Sequence, residues 1–229
     1  MVHSGSRNLG KQVADHYDKL ANTLNRRYFS EVPESYQLAF LPIGSREASQ
    51  YIDEMKYCCD FAKASHKLMM TRILEAIADA MRGVGSVSEM YQCTHNYARM
   101  EQHFGKGVWV HRKGATSARL GEIGIIPGSQ ASCSYIVKGK GNPDSFTSCS
   151  HGAGRAMGRN VAKRTLDLAT EQKRLDDQGI IHSLRTKEDL DEAGGAYKDV
   201  NQVMSQQTDL VEIVTKLTPL IVIKDRDEE

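Results

Sequence analysis

Apolar residues recur every three or four positions in two stretches near the amino terminus. In the first stretch they are Leu9, Val13, Tyr17, Leu20, Leu24 and Tyr28. In the second stretch, from about Arg46 to Met81, they are Ile52, Met55, Cys59, Ala62, Met69, Ile73 and Ile77. Residues three and four apart share one face of an α-helix, so both stretches are predicted to be amphipathic helices.

The pattern changes after Gly105, where short apolar and β-branched runs alternate with glycine and proline. These runs cover residues 108–111, 123–126 and 134–137. Runs of that length bounded by turn residues are typical of strands. Helical spacing returns after Gly154 to about Asp176 and again over about 200–217, and residues 220–223 are predicted to form a closing strand.

Helical and strand patterns occur in blocks rather than in regular alternation, which indicates an α+β fold. We expect a mixed sheet with long functional loops, flanked by helices. No repeat, low-complexity tract or linker-like segment divides the chain. Residues 1–229 are therefore predicted to form a single domain.

Composition narrows the functional classes. With 229 residues, of which 40% are hydrophobic, the chain can bury a sizeable core. A formal net charge of +1 excludes a globally basic nucleic-acid binder, although local basic patches remain possible. The five cysteines form neither a disulfide framework nor a CxxC pattern, and no apolar run is long enough to span a bilayer. We expect a cytoplasmic protein with reduced thiols and no membrane partner.

Residues 148–155 read SCSHGAGR and contain the strongest candidate for chemistry. Gly152 and Gly154 allow the backbone to approach an anion, and a helix predicted to follow would direct its N–H groups to the same point. His151 would then be a neutral nucleophile facing a phosphate-sized site. Arg155 and Arg159, four apart on that helix, would bind phosphate oxygens. The alternative is a glycine-rich turn around a buried, hydrogen-bonded histidine.

Three further groups of polar residues are weak signals when taken singly. His3 lies in the run HSGSR (3–7) and is as easily a capping residue as a ligand. His95 and Asn96 are as easily a turn. The loop Pro127-Gly128-Ser129, with Ser134, offers hydroxyls that could simply stabilise a turn or strand.

Together these motifs resemble one family. The ordered set is HSGSR (3–7), His95-Asn96, RKGAT (112–116), PGS (127–129), GKGNP (139–143) and SCSHGAGR (148–155). It is similar to the RtcB family of RNA-splicing ligases, and AYKD (196–199) and Lys224 continue the resemblance towards the end of the chain. The similarity covers nearly the whole sequence and corresponds to the carboxy-terminal portion of the family.

The resemblance implies a GTP- and Mn²⁺-dependent RNA ligase acting in tRNA splicing or RNA repair. Such an enzyme joins an RNA 3′-phosphate or 2′,3′-cyclic phosphate end to a 5′-hydroxyl end through a histidine-GMP intermediate. His151 would carry the GMP. By the same resemblance, His3 and His95 would bind manganese, and Arg7 and Arg155 would bind the RNA phosphate. The GTP-binding residues it implies are His95, Asn96, Pro127, Gly128, Ser129, Gln130, Ser134, His151, Gly152, Ala153, Gly154, Tyr197 and Lys224.

The sequence also departs from the family. Members carry an upstream segment with an aspartate, a cysteine and a Gly-Asn-His motif that complete the metal and nucleotide sites, and here only two residues precede His3. Gln130 stands where methionine is common, and acidic residues follow Lys224. The alternatives to a complete ligase are one half of a split ligase whose second chain supplies metal ligands, a catalytically incomplete RNA- or nucleotide-binding fragment, or a gene fragment without a separate role.

Overall fold

The chain divides into two compact units, Met1–Met90 and Tyr91–Glu229, in a computed structural model. The structure describes residues 1–6, 8–83 and 85–224. The prediction of one domain over 1–229 stays a prediction. Within the described ranges, none of the helices is both long enough and apolar enough to cross a membrane.

The amino-terminal unit contains the two predicted helices, α1 (Leu9–Arg27) and α2 (Arg46–Ala80), with a short 3₁₀ turn (Glu34–Tyr36) between them. The Ser45 side chain caps α2 by accepting a hydrogen bond from the Ala48 backbone N–H at 3.1 Å. Both helices are confirmed to within one residue of the predicted limits.

The two helices run antiparallel and pack through one buried tyrosine. The Tyr17 hydroxyl donates to Glu54 Oε1 at 2.9 Å, and its ring centroid lies 5.1 Å from that of Tyr51. Burial raises the pKa of Tyr17 to about 12, assisted by the Glu54 carboxylate. The prediction that Ile73 and Ile77 lie in a core is wrong, because α1 has 19 residues against 35 in α2 and pairs with its first half.

Over residues 91–224, the described part of the carboxy-terminal unit, the strands form four small sheets rather than the single mixed sheet expected. Strands β1 (Asn96–His103) and β2 (Lys106–Lys113) form an antiparallel hairpin. A second pair joins β3 (Ala115–Ser117) to β6 (Ser148–Ser150). The largest sheet has the order β4 (Ile123–Ile126), β5 (Ser134–Gly139), β8 (Val211–Leu217), and a parallel pair joins β7 (Ile181–His182) to β9 (Ile221–Val222). The mixture of helices and sheets confirms the α+β class.

Strand β8 lies at one edge of the three-stranded sheet and is irregular at its centre. Thr215 pairs with Ile136 and Ile213 pairs with Val137, so Val214 between them has no partner residue on β5. This irregularity is a β-bulge, and six of the seven residues of the strand are exposed. The predicted helix over about 200–217 is confirmed only for α5 (Val200–Ser205) and is wrong beyond it, because the β-branched residues of β8 favour extended backbone.

The helix predicted directly after Gly154 is also wrong at its start. Helix α3 (Arg159–Thr165) begins five residues after that glycine and ends where Leu166 adopts extended backbone. The side chain of Asp167 then caps a separate helix, α4 (Leu168–Asp176), by accepting from the Thr170 N–H at 2.9 Å. Arg155 is consequently not helical and forms an isolated bridge with Tyr197.

Two hydrophobic clusters hold the carboxy-terminal unit together. The first packs the three-stranded sheet against β6 and α5, and its members include Ile126, Tyr135, Val137, Cys149, Ala153, Val200, Met204 and Val211. The second lies beside α4 and comprises Leu175, Ile180, Leu184, Leu190 and Ala193. Because Cys149 and Ala153 belong to the first cluster, the SCSHGAGR segment is anchored on both sides of His151.

A buried ionic cluster joins the β1–β2 hairpin to the strand that precedes His151. Glu101 accepts two hydrogen bonds from Arg112, at 2.7 and 2.9 Å, one from Arg119 at 2.7 Å, and lies 2.9 Å from His103 Nε2. Arg112 is only 2% exposed. Its remaining donors reach Ser148 Oγ at 3.0 Å and the Phe146 carbonyl at 3.0 Å. We call these residues, Glu101, His103, Arg112 and Arg119, the Glu101 cluster.

The Arg112 hydrogen bonds, which outweigh the cost of burial, lower the pKa of Glu101 to about 2. Because the pKa is lower in the folded than in the unfolded chain, this carboxylate stabilises the fold above about pH 4.5 and loses that effect as the pH falls towards 2. We expect Glu101→Gln to reduce the free energy of unfolding by about 3 kcal/mol at pH 7, with the deficit shrinking progressively below pH 4.

Urea unfolding of both proteins at a series of pH values measures this effect. The exposed Glu75→Gln in α2 is the control and should follow the wild type at every pH. A constant difference between Glu101→Gln and wild type from pH 7 to pH 3 would contradict the assignment.

Candidate functional site

Three of the sequence motifs meet at His151, the residue that follows strand β6. The His151 ring stacks on that of His95, with centroids 5.2 Å apart and an interplanar angle of 13°. Gly114, in the RKGAT motif, lies against the ring edge: a Cβ built there would be 3.9 Å from both Cε1 and Nδ1. His151 is half-buried. One face of the imidazole is thus covered by a second imidazole, while the edge beside Gly114 carries no side chain.

The backbone after His151 packs directly on the PGS loop. The Ala153 N–H donates to the Pro127 carbonyl at 3.0 Å, and the Ser150 hydroxyl donates to the Gly152 carbonyl at 2.6 Å. A Cβ at Gly152 would lie 3.2 Å from the Pro127 oxygen. Any side chain at position 152 would force the Pro127 carbonyl to shift by a few tenths of an ångström, so the close approach of the two loops favours glycine there.

The PGS loop is folded on itself by hydroxyl groups. The Gly128 N–H donates to Ser134 Oγ at 3.2 Å, and the Ser129 N–H donates to Ser132 Oγ at 2.7 Å. A Cβ at Gly128 would lie 2.1 Å from the Cys133 carbonyl oxygen, so no other residue fits there without a backbone shift. Several of the predicted nucleotide-binding residues therefore shape this loop through contacts within the protein.

The predicted helix N-terminus beside His151 is absent from the described structure. Residues 151–158 form bends and a single bridge before α3 begins. The inference that helical N–H groups face the site is therefore wrong, as is the placement of Arg155 and Arg159 on one helix. Gly154 instead adopts a left-handed conformation, with φ at +72°, and its carbonyl accepts from the Lys198 N–H at 3.0 Å.

Arg155 is held by contacts within the protein. Its guanidinium donates to the Met157 carbonyl at 3.1 Å, to the Tyr197 hydroxyl at 3.1 Å, to Glu192 Oε1 at 3.2 Å and to the Asp191 carbonyl. It also lies 4.9 Å above the centre of the Tyr197 ring. Because its donors are engaged in this way, Arg155 links the turn after His151 to Glu192 and Tyr197. Its contact with RNA phosphate stays a prediction.

Glu192 connects several of the candidate nucleotide-binding residues. The Tyr197 hydroxyl donates to its carboxylate, Lys224 Nζ lies 3.9 Å away and Arg159 Nη2 lies 3.4 Å away. Its backbone carbonyl accepts from the buried Gln130 side chain at 2.9 Å. We call Arg155, Glu192, Tyr197 and Lys224 the Glu192 cluster. Sequence reasoning missed Glu192 because no motif contains it, and its only signal is a position shortly before AYKD (196–199).

Cys149 is adjacent in sequence to the SHGAGR run but is a poor competitor as nucleophile. The thiol is 4% exposed, and burial raises its pKa to about 12. A thiol with that pKa is almost entirely protonated at neutral pH, and the thiolate is the reactive form. His151 is the better nucleophile of the two.

The remaining predicted site residues are Asn96, His3 and Arg7. Asn96 begins β1 and is exposed, next to His95. His3 is exposed in the amino-terminal unit, ahead of α1. Arg7 lies outside the described residues. Among the residues that are described, no three His, Cys, Asp or Glu side chains form a group that could hold a metal ion.

The motif order agrees with a comparison against known families. The model of the family described as tRNA-splicing ligase RtcB matches residues 1–225. The chain belongs to the RtcB family. An RNA-splicing ligase RtcB from Escherichia coli is 36% identical over 98% of this chain, and a tRNA-splicing ligase RtcB from Thermococcus kodakarensis is 32% identical over 98%. An RNA-splicing ligase RtcB from Mycobacterium tuberculosis is 33% identical over 98%.

This RtcB-family chain spans about half the length of the curated relatives it matches. The matched share is 55% of the Escherichia coli protein, 52% of the Thermococcus kodakarensis protein and 56% of the Mycobacterium tuberculosis protein. Membership of the family supports RNA ligation as the function class. The activity of those whole proteins is only proposed for this chain.

The Glu192 cluster predicts an unusual tyrosine titration. Burial, followed by the hydrogen bond and charge of Glu192, raises the pKa of Tyr197 to about 12. We expect Glu192→Gln to lower that pKa while leaving it above 10, because the negative charge is removed but the burial remains. ¹³C NMR of ring-labelled tyrosine, assigned with Tyr197→Phe, measures the tyrosinate fraction at pH 11. Glu188→Gln, at an exposed position, is the control and should leave the tyrosinate fraction of Tyr197 unchanged. An unchanged fraction in Glu192→Gln would show that Glu192 does not raise the pKa of Tyr197.

Proposed function

We propose that this chain carries the nucleotide-transfer site of a GTP- and Mn²⁺-dependent RNA ligase. The reaction joins RNA 3′-phosphate or 2′,3′-cyclic phosphate ends to 5′-hydroxyl ends, in tRNA splicing or RNA repair. The observation that carries the proposal is the position of His151, between the stacked His95 ring and the side-chain-free edge at Gly114. Membership of the RtcB family supplies the RNA substrate class.

In the first step an imidazole nitrogen of His151 attacks the α-phosphorus of GTP. A phosphorus–nitrogen bond forms, the bond to the bridging oxygen breaks, and pyrophosphate leaves with the electron pair. Stacking on His95 fixes the plane of the nucleophile, so little rotational freedom is lost on reaching the reactive geometry. Gly114 adds no side chain beside the Cε1–Nδ1 edge of this ring.

A 2′,3′-cyclic end must first be opened by water, which breaks the bond from phosphorus to the 2′-oxygen and leaves a 3′-phosphate. In the second step GMP passes from His151 to the RNA 3′-phosphate, which breaks the phosphorus–nitrogen bond and restores the imidazole. A phosphate monoester is a poor electrophile because it has no good leaving group, and GMP provides one. The RNA 5′-hydroxyl then attacks the activated phosphorus, forms the phosphodiester and releases GMP.

The nucleotide is proposed to lie along the PGS loop and the turn after His151. Residues proposed to surround it are His95, Asn96, Pro127, Gly128, Ser129, Gln130, Ser134, Gly152, Ala153, Gly154, Tyr197 and Lys224. Several of these act indirectly, because the N–H groups of Gly128 and Ala153 already bond within the protein. Lys224 is held beside Glu192, from which its ammonium could turn to a guanine or phosphate oxygen.

Manganese would neutralise charge on the transferring phosphoryl group. His3 and His95 are proposed as its ligands from this chain, since imidazole suits such a metal. They do not make a complete site, because no set of three candidate ligands occurs within the described part of the chain. The remaining positions would be filled by water or by a second chain, and Arg7 is proposed to bind the RNA terminal phosphate.

The test is covalent labelling. Incubation with α-³²P-GTP and Mn²⁺ should give acid-labile, hydroxylamine-sensitive label on the protein, and His151→Ala should abolish it, since the substitution removes the attacking nitrogen. His111→Ala, an exposed histidine on β2, is the matched control and should retain the label.

The other outcomes separate the alternatives. Label that forms only after addition of the upstream segment of a relative would support a split ligase. Absence of label in both conditions, with RNA still bound, would support an RNA-binding module without catalysis. Label that persists in His151→Ala would contradict the assigned nucleophile.

A further inference from the structure

Two exposed phenylalanines from different loops meet on the surface of the carboxy-terminal unit. Phe104 is 65% exposed and Phe146 is 41% exposed. Their ring centroids are 5.5 Å apart in a T-shaped arrangement, with an interplanar angle of 81°. The His103 ring lies 5.0 Å from that of Phe146. Neither phenylalanine has a role in the nucleotide site described above.

Both phenylalanines have a left-handed backbone conformation, with φ at +51° for Phe104 and +53° for Phe146. Phe104 and Gly105 form the two-residue turn of the β1–β2 hairpin, and Gly105 also has positive φ, at +73°. Positive φ at both central positions is the type I′ turn, whose first position favours Asn, Asp or Gly. A bulky aromatic residue is strained there, and strain of this kind is concentrated at functional sites.

The Glu101 cluster holds the two loops that carry Phe104 and Phe146. Arg112 donates to the Phe146 carbonyl at 3.0 Å, and His103, the residue before Phe104, lies 2.9 Å from Glu101. Both loops are therefore tied to one buried carboxylate. The rings are presented in a defined arrangement rather than on freely moving loops, which lowers the entropy lost when a ligand binds.

The surroundings of the rings are polar and carry cations. Lys106 is exposed and pairs in register with His103, which places it on the same face of the hairpin. The Arg119 side chain is 41% exposed and reaches Glu101. Glu101 is buried and paired with Arg112 and Arg119, and the exposed Asp144 lies two residues before Phe146. Exposed aromatic rings beside cations are typical of surfaces that stack single-stranded nucleic acid.

We propose that the Phe104–Phe146 pair is a base-stacking subsite for an unpaired nucleotide of the RNA substrate. The inference rests on the proposed function for the class of substrate. The apolar surface is limited to two rings within a polar and cationic surround, which favours a nucleotide over the broader apolar face of a protein partner.

The decisive variant is Phe104→Asn, because it separates stacking from folding. Asparagine suits the left-handed first position of the turn, so we expect the melting temperature to rise by about 2–4 °C. Loss of the ring should weaken binding of a fluorescent single-stranded 12-nucleotide RNA by about tenfold. Phe104→Tyr keeps the ring and should bind RNA as the wild type does.

Phe29→Asn is the matched control. Phe29 is 90% exposed, has φ at +53° and lies in the amino-terminal unit. Its replacement should likewise not destabilise the protein and should leave RNA affinity unchanged. Equal RNA affinity of wild type and Phe104→Asn, absence of RNA binding by the wild type, or an equal loss in Phe29→Asn would each overturn the proposal.

GTP labelling of the same variants separates this proposal from the proposed function. Phe104→Asn should label on His151 to the same extent as the wild type, because no RNA takes part in that step. RNA binding that depends on Phe104, in a chain that takes no label even after addition of the upstream segment of a relative, would support the stacking subsite while contradicting the ligase chemistry. Normal labelling, together with an RNA affinity that does not depend on Phe104, would support the ligase chemistry and contradict the stacking subsite.

Discussion

The carboxy-terminal unit depends on one buried ion pair, between Arg112 and Glu101. An unpaired guanidinium that is only 2% exposed would be strongly destabilising, so the charged carboxylate of Glu101 makes a large contribution to the stability of this unit. The same arginine bonds Ser148 and the carbonyl of Phe146, which are remote in sequence from the hairpin. The pair therefore fixes the hairpin, the loop before β6 and the start of the strand that leads to His151 relative to one another.

A second charged group, the Glu192 cluster, organises the other side of the SHGAGR turn. Its carboxylate is shared between Tyr197, Arg155 and Lys224, and these are residues that the resemblance assigns to nucleotide or phosphate. Burial and the carboxylate hold Tyr197 in its neutral form, so its hydroxyl remains a hydrogen-bond donor over the physiological pH range. The two ionic clusters hold the segments on either side of a half-buried histidine.

Sequence periodicity located α1 and α2 to within a residue, because long helices with one apolar face give a strong signal. The predicted strand over 108–111 is confirmed as part of β2, but β1 and its pairing with β2 escaped prediction because the turn is Phe-Gly, which lacks the asparagine that usually marks such turns. Motif order brought His95, the PGS loop and His151 together as candidates. It could not reveal Glu101 or Glu192, because a buried acid is recognised only from partners distant in sequence. Arg155 was misplaced for a related reason: helical spacing after Gly154 was read as helix, whereas Arg155 pairs with Tyr197 across the chain.

The bulge at Val214 has a consequence for how this molecule behaves at high concentration. An edge strand with regular spacing offers a row of backbone donors and acceptors to any other extended chain. In β8 the unpaired residue interrupts that row, and Glu212 and Lys216 place charge on either side of the interruption. Extended partners, including other copies of the same strand, would meet a kinked and charged border instead of a continuous ladder, which disfavours fibrous self-association.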